Sequence, residues 1–565
     1  MKYEVPHTKR WLLLGLITGV ACVACSKNEE TQKESSGSKA ANTDPSQGGA
    51  PSLGGTLGAS APPAAACNVG KTPTASVSQP QLAASLQDSW HEAWLASPAI
   101  ADLDGDGTSE IIAPRGSLLN IWHADGTLLF SHSTGDGRIW SSPVVAELVP
   151  DLPGLEVAVA SRGEIYVWDA RGKPVEGFPV QAKDELRSLA AADIDGDGLL
   201  ELVTVSNQRI EGNSQRDIIY AFNHDGSKVA GFPPNTTGNS GCGEWCSVTG
   251  GYDQNLALGD LNGDGIADIF ATQDNSHNSL HDGTGRAFPL SSQFERGAVF
   301  PAMRFLHDWD LALQGWAEDE ETANQAHSTN SAPAIADVDG DGKNEIILLA
   351  SVQNAAQTDR LRGVALWVLR PDGTRPKNWE KPLHFPNYLA GLWDFEGTNM
   401  VAATNQVSVA DMDPSREGLE FVFAGFDGQI HSVDAQANEL WSYTYTTSDK
   451  VLTTGVALAD LNGDGSPEVV FTSYSPEQES SHLFVLDAGG NELHKLALPG
   501  RGAMPVPTIA DANDNGVLDI VVSLKDSEKG KPQVQIFEVP GSESNCLLWA
   551  TGRGNLLRNG WIIED

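Results

Sequence analysis

The most constraining feature of this chain is a segment that it repeats eight times. Each copy is an apolar run, an acidic turn and a second apolar run. The copies read SPAIADLDGDGTSEIIAP, SSPVVAELVPDLPGLEVAVAS, SLAAADIDGDGLLELVTVS, NLALGDLNGDGIADIFATQ, SAPAIADVDGDGKNEIILLAS, QVSVADMDPSREGLEFVFAG, TGVALADLNGDGSPEVVFTS and VPTIADANDNGVLDIVVSL. The first acidic position falls at Asp102, Glu147, Asp193, Asp260, Asp337, Asp411, Asp460 and Asp511. The copies lie 45 to 51 residues apart at the ends of the array and 67 to 77 apart across its middle, which therefore carries insertions. A third apolar run follows each pair, as in IYVWDARG and LFVLDAGGN, and several copies add a short fourth, as in TLLFSHS and ELWSYTY. Four short strands per unit of about 45 residues, separated by turn residues, is the pattern of a β-propeller blade. Runs such as EVAVAS suit strands buried between neighbouring blades. No 3.6-residue periodicity suggests a helical solenoid. Eight units predict an all-β propeller of eight blades, with seven as the alternative count, spanning residues 85–565.

The acidic turns have the composition of calcium sites. In DLDGDGTSE, Asp102, Asp104 and Asp106 alternate, so one tight loop can turn three carboxylates onto a single centre. Gly105 and Gly107 allow the positive φ that such a loop needs. Thr108 can add its backbone carbonyl, and Glu110 closes the shell from the next strand. That supplies the six to eight hard oxygens that Ca²⁺ prefers, whereas Mg²⁺ retains its waters and resists an all-protein cage. The flanking runs read as strands and the closing acid stands at position nine, so an EF-hand is disfavoured. The set recurs as Asp193, Asp195, Asp197, Leu199 and Glu201; as Asp260, Asn262, Asp264, Ile266 and Asp268; as Asp337, Asp339, Asp341, Lys343 and Glu345; and as Asp460, Asn462, Asp464, Ser466 and Glu468. Asp511, Asn513, Asn515, Val517 and Asp519 form a weaker sixth set with fewer charges. The second and sixth units have lost the pattern: ELVPDLPGLE lacks two carboxylates, and DMDPSREGLE puts Ser415 and Arg416 in the loop. Five strong sites and one weaker one are expected, with no ion in the other two turns.

On these turns and their spacing, the units resemble FG-GAP/VCBS repeats, the repeats of the integrin α-subunit propeller and of many bacterial surface proteins. The resemblance covers roughly residues 90–560 and is specific in the nine-residue turn. It implies a seven- or eight-bladed propeller with calcium in the turns and a protein or glycan ligand.

The N-terminus reads as an export signal. Lys2, Lys9 and Arg10 precede an apolar run from Trp11 to Val23, too short to span a bilayer. CVACSKNEE resembles a bacterial lipobox with Cys25 as the lipidated residue, although Cys22 stands where that pattern has Leu, and GVAC ending at Cys22 competes. Acylation of Cys25 removes Cys22 with the signal and leaves four other cysteines, Cys67, Cys242, Cys246 and Cys546, an even set for an oxidising compartment. Cys242 with Cys246 would close a local loop, and Cys67 with Cys546 would fasten the N-terminal segment to the end of the ring. The domain reading is a signal peptide over 1–24, then a lipid anchor with a Ser/Gly/Ala/Pro-rich tether over 25–84, then the propeller. The tether has almost no large apolar residue and cannot offset the entropy of ordering. The expected location is the outer membrane or cell surface.

The 75 acidic and 36 basic residues give a formal charge of −39. That excludes nucleic acid, which requires basic surface, and peripheral binding to anionic lipid; a monomer is expected. Residues just before each inner strand should ring a funnel on the face opposite the acidic turns. Trp94, Trp140 and Arg187 are the candidate ligand-binding residues there, with insertions 234–252, 275–330 and 375–405 overhanging. The middle insertion suggests a helix carrying His307, Trp309 and Trp316. There is no GxSxG, no HExxH and no phosphate-cradling loop. The favoured reading is a non-catalytic binding propeller; the alternative is a calcium-dependent polysaccharide lyase or other carbohydrate-active enzyme, with basic residues or Tyr gathered beside Ca²⁺.

Overall fold

The computed structural model describes Cys67, Thr74 and residues 76–87, 91–135, 137–207, 218–234, 251, 254–273, 278–293, 299–300, 326–328, 331–352, 363–389, 393–394, 400–401, 405–477, 480–526, 532–542 and 546–562. Cys25, Cys242, Cys246, the expected helix with His307, Trp309 and Trp316, and much of the three insertions lie outside these residues.

The described strands form eight antiparallel blade sheets of three to five strands and two two-stranded ribbons. Blade 1 comprises Ala99–Ala101, Glu110–Arg115, Leu118–His123 and Leu128–Ser133. The inner strands of blades 2 to 8 begin at Val144, Leu186, Leu256, Ala334, Ser408, Ala457 and Thr508. The eight-bladed count is therefore the one adopted, and the repeated segment is the inner strand, the acidic turn and the second strand of each blade. In every blade the last residue of the inner strand, Ala or in blade 4 Gly259, pairs with the closing acid of the turn. Small residues there leave room for a carboxylate to fold back over the turn.

The described residues of the second strand are buried in all eight blades, save half-buried Ser351 near the end of that of blade 5, because both of its faces meet a neighbouring blade. The apolar clusters accordingly straddle blade boundaries: one joins Ile112 and Ile121 of blade 1 to Val157 and Val159 of blade 2, and another joins Ile111 and Trp122 of blade 1 to Val521 and Ile536 of blade 8. The fourth strands alternate between half-buried and exposed, as in Glu439–Thr444 and Glu492–Ala497.

Both ends of the chain close the ring. Gln81–Leu86 pairs antiparallel with Val534–Glu538 and becomes the outer strand of blade 8. Across the same seam, Arg115 is fully buried and donates to the carbonyls of Leu524 at 2.5 Å and Asp526 at 3.0 Å. Cys67 and Cys546 form a disulfide with a Cα–Cα distance of 5.7 Å. Beyond it, Leu547–Trp549 pairs with the inner strand of blade 7. The remaining tail then passes the inner strands of blades 8, 2, 3, 4 and 5 in turn. Ile509, Val145, Ala191, Leu258 and Ile335 donate their N–H groups to Ala550, Leu556, Leu557, Asn559 and Gly560. Arg553 and Arg558 are buried within this tail, and Arg558 donates to the carbonyls of Pro98, Pro143 and Gly552 at 2.9 Å each. Inner strands have an edge that faces the axis with unpaired backbone groups, and the tail satisfies them.

Candidate metal centres and the opposite face

Six turns share one hydrogen-bond pattern, and they are the six that carry the acidic set. The first Asp accepts, on Oδ2, the N–H of the glycine five residues on: Gly107 to Asp102 at 2.8 Å, Gly198 to Asp193 at 3.0 Å, Gly265 to Asp260 at 2.8 Å, Gly342 to Asp337 at 2.7 Å, Gly465 to Asp460 at 2.8 Å and Gly516 to Asp511 at 2.7 Å. The fifth residue accepts the N–H of the seventh, at 2.8 to 3.0 Å: Asp106 from Thr108, Asp197 from Leu199, Asp264 from Ile266, Asp341 from Lys343, Asp464 from Ser466 and Asn515 from Val517. Gly105 has φ +74° and its missing Cβ would meet nothing within 4 Å, so backbone conformation rather than space requires glycine there. The eighth turn has Asp514 in that place at φ 57°, a conformation Asp tolerates. Its carboxylate accepts from Ser109 N at 2.7 Å and Ser109 Oγ at 2.8 Å, tying the last acidic turn to the first.

Three turns bring carboxylate oxygens within 4.8 Å of one another: Asp102, Asp104 and Asp106; Asp193, Asp195 and Asp197; and Asp337, Asp339 and Glu345. Ca²⁺ binds oxygen at about 2.3–2.6 Å, so ligands on opposite sides of it stand about 5 Å apart. The donor sets fit that ion. In turn five Arg370 already stands beside the set, its Nη2 at 3.1 Å from Asp339, where it would compete with a cation. Turn seven is the most enclosed, with Asp460 fully buried, Thr74 N donating to the carbonyl of Asn462 at 2.8 Å and Asp460 N to that of Cys546 at 3.2 Å. In turn six Asp413 is occupied by Arg416 at 3.1 Å.

The closing acid has a role the sequence reading did not assign to it. In all eight blades one of its oxygens accepts the N–H of the turn's second residue, from Leu103 to Glu110 at 2.8 Å through Ala512 to Asp519 at 3.1 Å. This clamp is present in turns two and six, where Glu156 receives Leu148 and Glu420 receives Met412, each at 2.8 Å. The acid retained in those two otherwise degenerate turns was the signal that could have revealed it. Burial pushes the carboxyls up, Glu110, Glu156, Glu420 and Asp519 to about 7 and Glu201, Asp268, Glu345 and Glu468 to about 8, against the pull of the backbone N–H. In five of the six acidic turns the alternating carboxylates add to that rise; in the eighth, Glu538 and Asp511 do so.

At the other end of the strands, Trp94, Trp140 and Arg187 come together. The two indoles meet edge-on with centroids 5.2 Å apart. Their faces are taken by cations: Arg138 stands 3.9 Å and Lys525 3.0 Å from the Trp94 centroid, and Arg187 4.3 Å from that of Trp140. Two cations that close to one ring can only occupy opposite faces. Sugar stacking on Trp94 is thereby blocked, and the residues that sequence reasoning missed, Arg138 and Lys525, give the face its character. Glu92 lies between Arg501 at 2.9 Å and Lys525 at 3.1 Å; Glu185 binds Arg187 at 2.7 Å and accepts from Trp140 Nε1 at 2.8 Å. Burial drives Lys525 down to about 7 against the pull of Glu92.

No protein-family profile matches the chain, and no curated protein sequence does. Among solved structures, the chain is similar to the V. cholerae biofilm matrix protein Bap1, at 15% identity and TM-score 0.35 over 82% of this chain and 81% of that one. It is also similar to the Dos1 propeller, at 11% identity and TM-score 0.36 over 83% and 97%. A third likeness is to BBS1N, solved in complex with ARL6DN, at 12% identity and TM-score 0.36 over 74% and 99%. Likenesses this distant carry no functional implication. The sheet topology itself defines the class: an eight-bladed β-propeller with an acidic turn on one face of most blades.

Proposed function

We propose that this chain is an exported lipoprotein, anchored through Cys25, whose FG-GAP/VCBS-type propeller is stabilised by Ca²⁺ and binds a protein or glycan ligand on the face opposite the acidic turns. The observation that carries the calcium part is the carboxylate clustering within 4.8 Å, repeated in separate blades on one hydrogen-bond frame. Asp102, Asp104 and Asp106 and their counterparts would hold the ion, which would neutralise clusters that otherwise repel themselves. The role is structural. A lyase would need the ion and a base together, but the acidic turns and the basic cluster stand at opposite ends of the strands, and Lys525 is buried. These facts favour binding over catalysis.

The test is thermal melting with Ca²⁺ and with chelator, beside elemental analysis. An ion that binds only the native state stabilises it by about 2.7 kcal/mol per site at a hundredfold excess over Kd, so several sites should raise the Tm by many degrees. An unchanged melt in EDTA, with no metal in the purified protein, rejects the calcium reading. Mass spectrometry of the mature N-terminus should find diacylglyceryl-Cys25; an unmodified terminus, or one at Cys22, rejects the anchor.

A further inference from the structure

In a chain of formal charge −39, one sector of the face opposite the acidic turns is basic. Arg138, Arg187, Arg501 and Lys525 stand there against three carboxylates, Glu92, Glu185 and Asp526. Each acid is engaged by a neighbouring cation, which leaves one guanidinium over. Arg138 stacks at 3.9 Å on Trp94 and 4.7 Å on Trp140, and among the described residues no acceptor hydrogen-bonds its side chain. The stacking fixes the plane of a five-donor fork, and Arg138 as a residue is half-buried.

A second observation adjoins it. Ser97, Ser142, Gln254, Gln406 and Thr454, with Gly552 and Arg553 of the C-terminal tail, line a small depression. Leu95, which also lines it, packs with Trp140, and Gln254 Nε2 donates to the Trp140 carbonyl at 3.0 Å. Gln254 is 5% exposed, and its Oε1 is buried and accepts no hydrogen bond among the described residues. An orphaned buried acceptor costs free energy until a donor reaches it, and a ligand hydroxyl is such a donor. A row of neutral amide and hydroxyl groups beside an unused guanidinium matches a ligand with many hydroxyls and one carboxylate.

We propose that this sector binds an acidic saccharide, the uronate carboxylate on Arg138 and ring hydroxyls at Gln254 and its neighbours, with Arg187 and Lys525 supplying positive field. The assignment deepens the reading of the chain as a binding propeller and rests on it. A carboxylate on a guanidinium gains a charge-assisted and bidentate contact that a neutral sugar lacks, and the two Trp rings orient Arg138 rather than stack on the sugar.

Calorimetric titration of the calcium-loaded full chain with a galacturonic acid trimer should show saturable binding that weakens with salt. Galactose trimer and triglutamate should bind at least about tenfold more weakly. Arg138→Gln should weaken the uronate by about tenfold or more at unchanged Tm, Arg138→Lys by less, and Gln254→Leu should weaken both saccharides. Arg416→Gln, in a turn on the far face, should change nothing. No uronate binding at millimolar concentration by folded protein, binding undiminished in Arg138→Gln, or triglutamate bound in preference each overturns the assignment. Melting the same samples with and without chelator reads the calcium face independently, so failure here and failure of the calcium reading are distinguishable. Preferential binding of triglutamate would leave the wider binding role intact while removing the saccharide.

Discussion

At the scale of single residues, the closing acids and the alternating acids of a turn do different work. Glu156 shows the first apart from the metal set, which its turn lacks, although Glu147 and Asp169 add to its rise. Its folded carboxyl is pushed up to about 7 from 4.5, so burial favours the protonated form. A raised acid contributes stability that is fully present below pH 4.5 and is lost as pH rises through 7. Metal-free protein should therefore lose stability between pH 5 and pH 8, and Glu156→Gln should reduce that loss by about 3 kcal/mol at pH 8. Urea melts across that range check it; an unchanged slope in the variant rejects the assignment. The alternating acids answer to metal instead. Asp339→Ala with Asp341→Ala should remove one bound ion, and Ser415→Ala with Arg416→Ala none. Arg370→Gln should tighten calcium at turn five, because it removes a cation 3.1 Å from Asp339. Ion counts by elemental analysis and calcium titrations by calorimetry decide these.

At the scale of elements, the C-terminal tail matters as much as any blade. Its twelve-residue stretch WATGRGNLLRNG runs along the axis-facing edges of inner strands. Arg558 donates to the carbonyls of Pro98, Pro143 and Gly552, and Pro98 also accepts from Thr508 Oγ1 at 2.7 Å. Removing Arg558 leaves the buried carbonyls of Pro143 and Gly552 without this donor, each costing about 1–3 kcal/mol. Arg558→Ala should lower stability by about 3 kcal/mol or more, seen as a lower urea midpoint at constant m-value. A loss below about 1 kcal/mol would mean that water or a shifted backbone takes over those carbonyls.

At the scale of the whole molecule, the ring depends on a seam between blade 8 and blade 1. The N-terminal strand, buried Arg115 and the Ser109–Asp514 contact join blades 8 and 1 there, and the disulfide fastens the N-terminal segment to the tail entering the channel. The disulfide closes a loop with a sequence separation of 479. Constraining so long a loop in the unfolded chain should contribute roughly 2–5 kcal/mol. Cys67→Ser should lower the Tm while leaving the calcium stoichiometry of turns one and three unchanged. Melting with parallel elemental analysis tests both halves of that expectation.

The period of the acidic segment was enough to determine the fold class and which turns share a frame, because blade geometry is local, while the sheets themselves decided for eight blades over seven. Each hairpin is specified by its own small residue opposite an acid and its own glycines. The clamp by Glu110 and its seven counterparts left only one trace in the sequence, the acid retained at Glu156 and Glu420, and the tail left none, since both depend on where a side chain or segment returns after folding. The basic sector was hidden for a stronger reason. Trp94, Arg138, Arg187 and Lys525 are scattered across four blades and diluted in an acidic composition, so no window of sequence contains their chemistry. Repetition determined the scaffold, while closure of the ring decided the opposite face, because only closure brings the first blade and the last into contact.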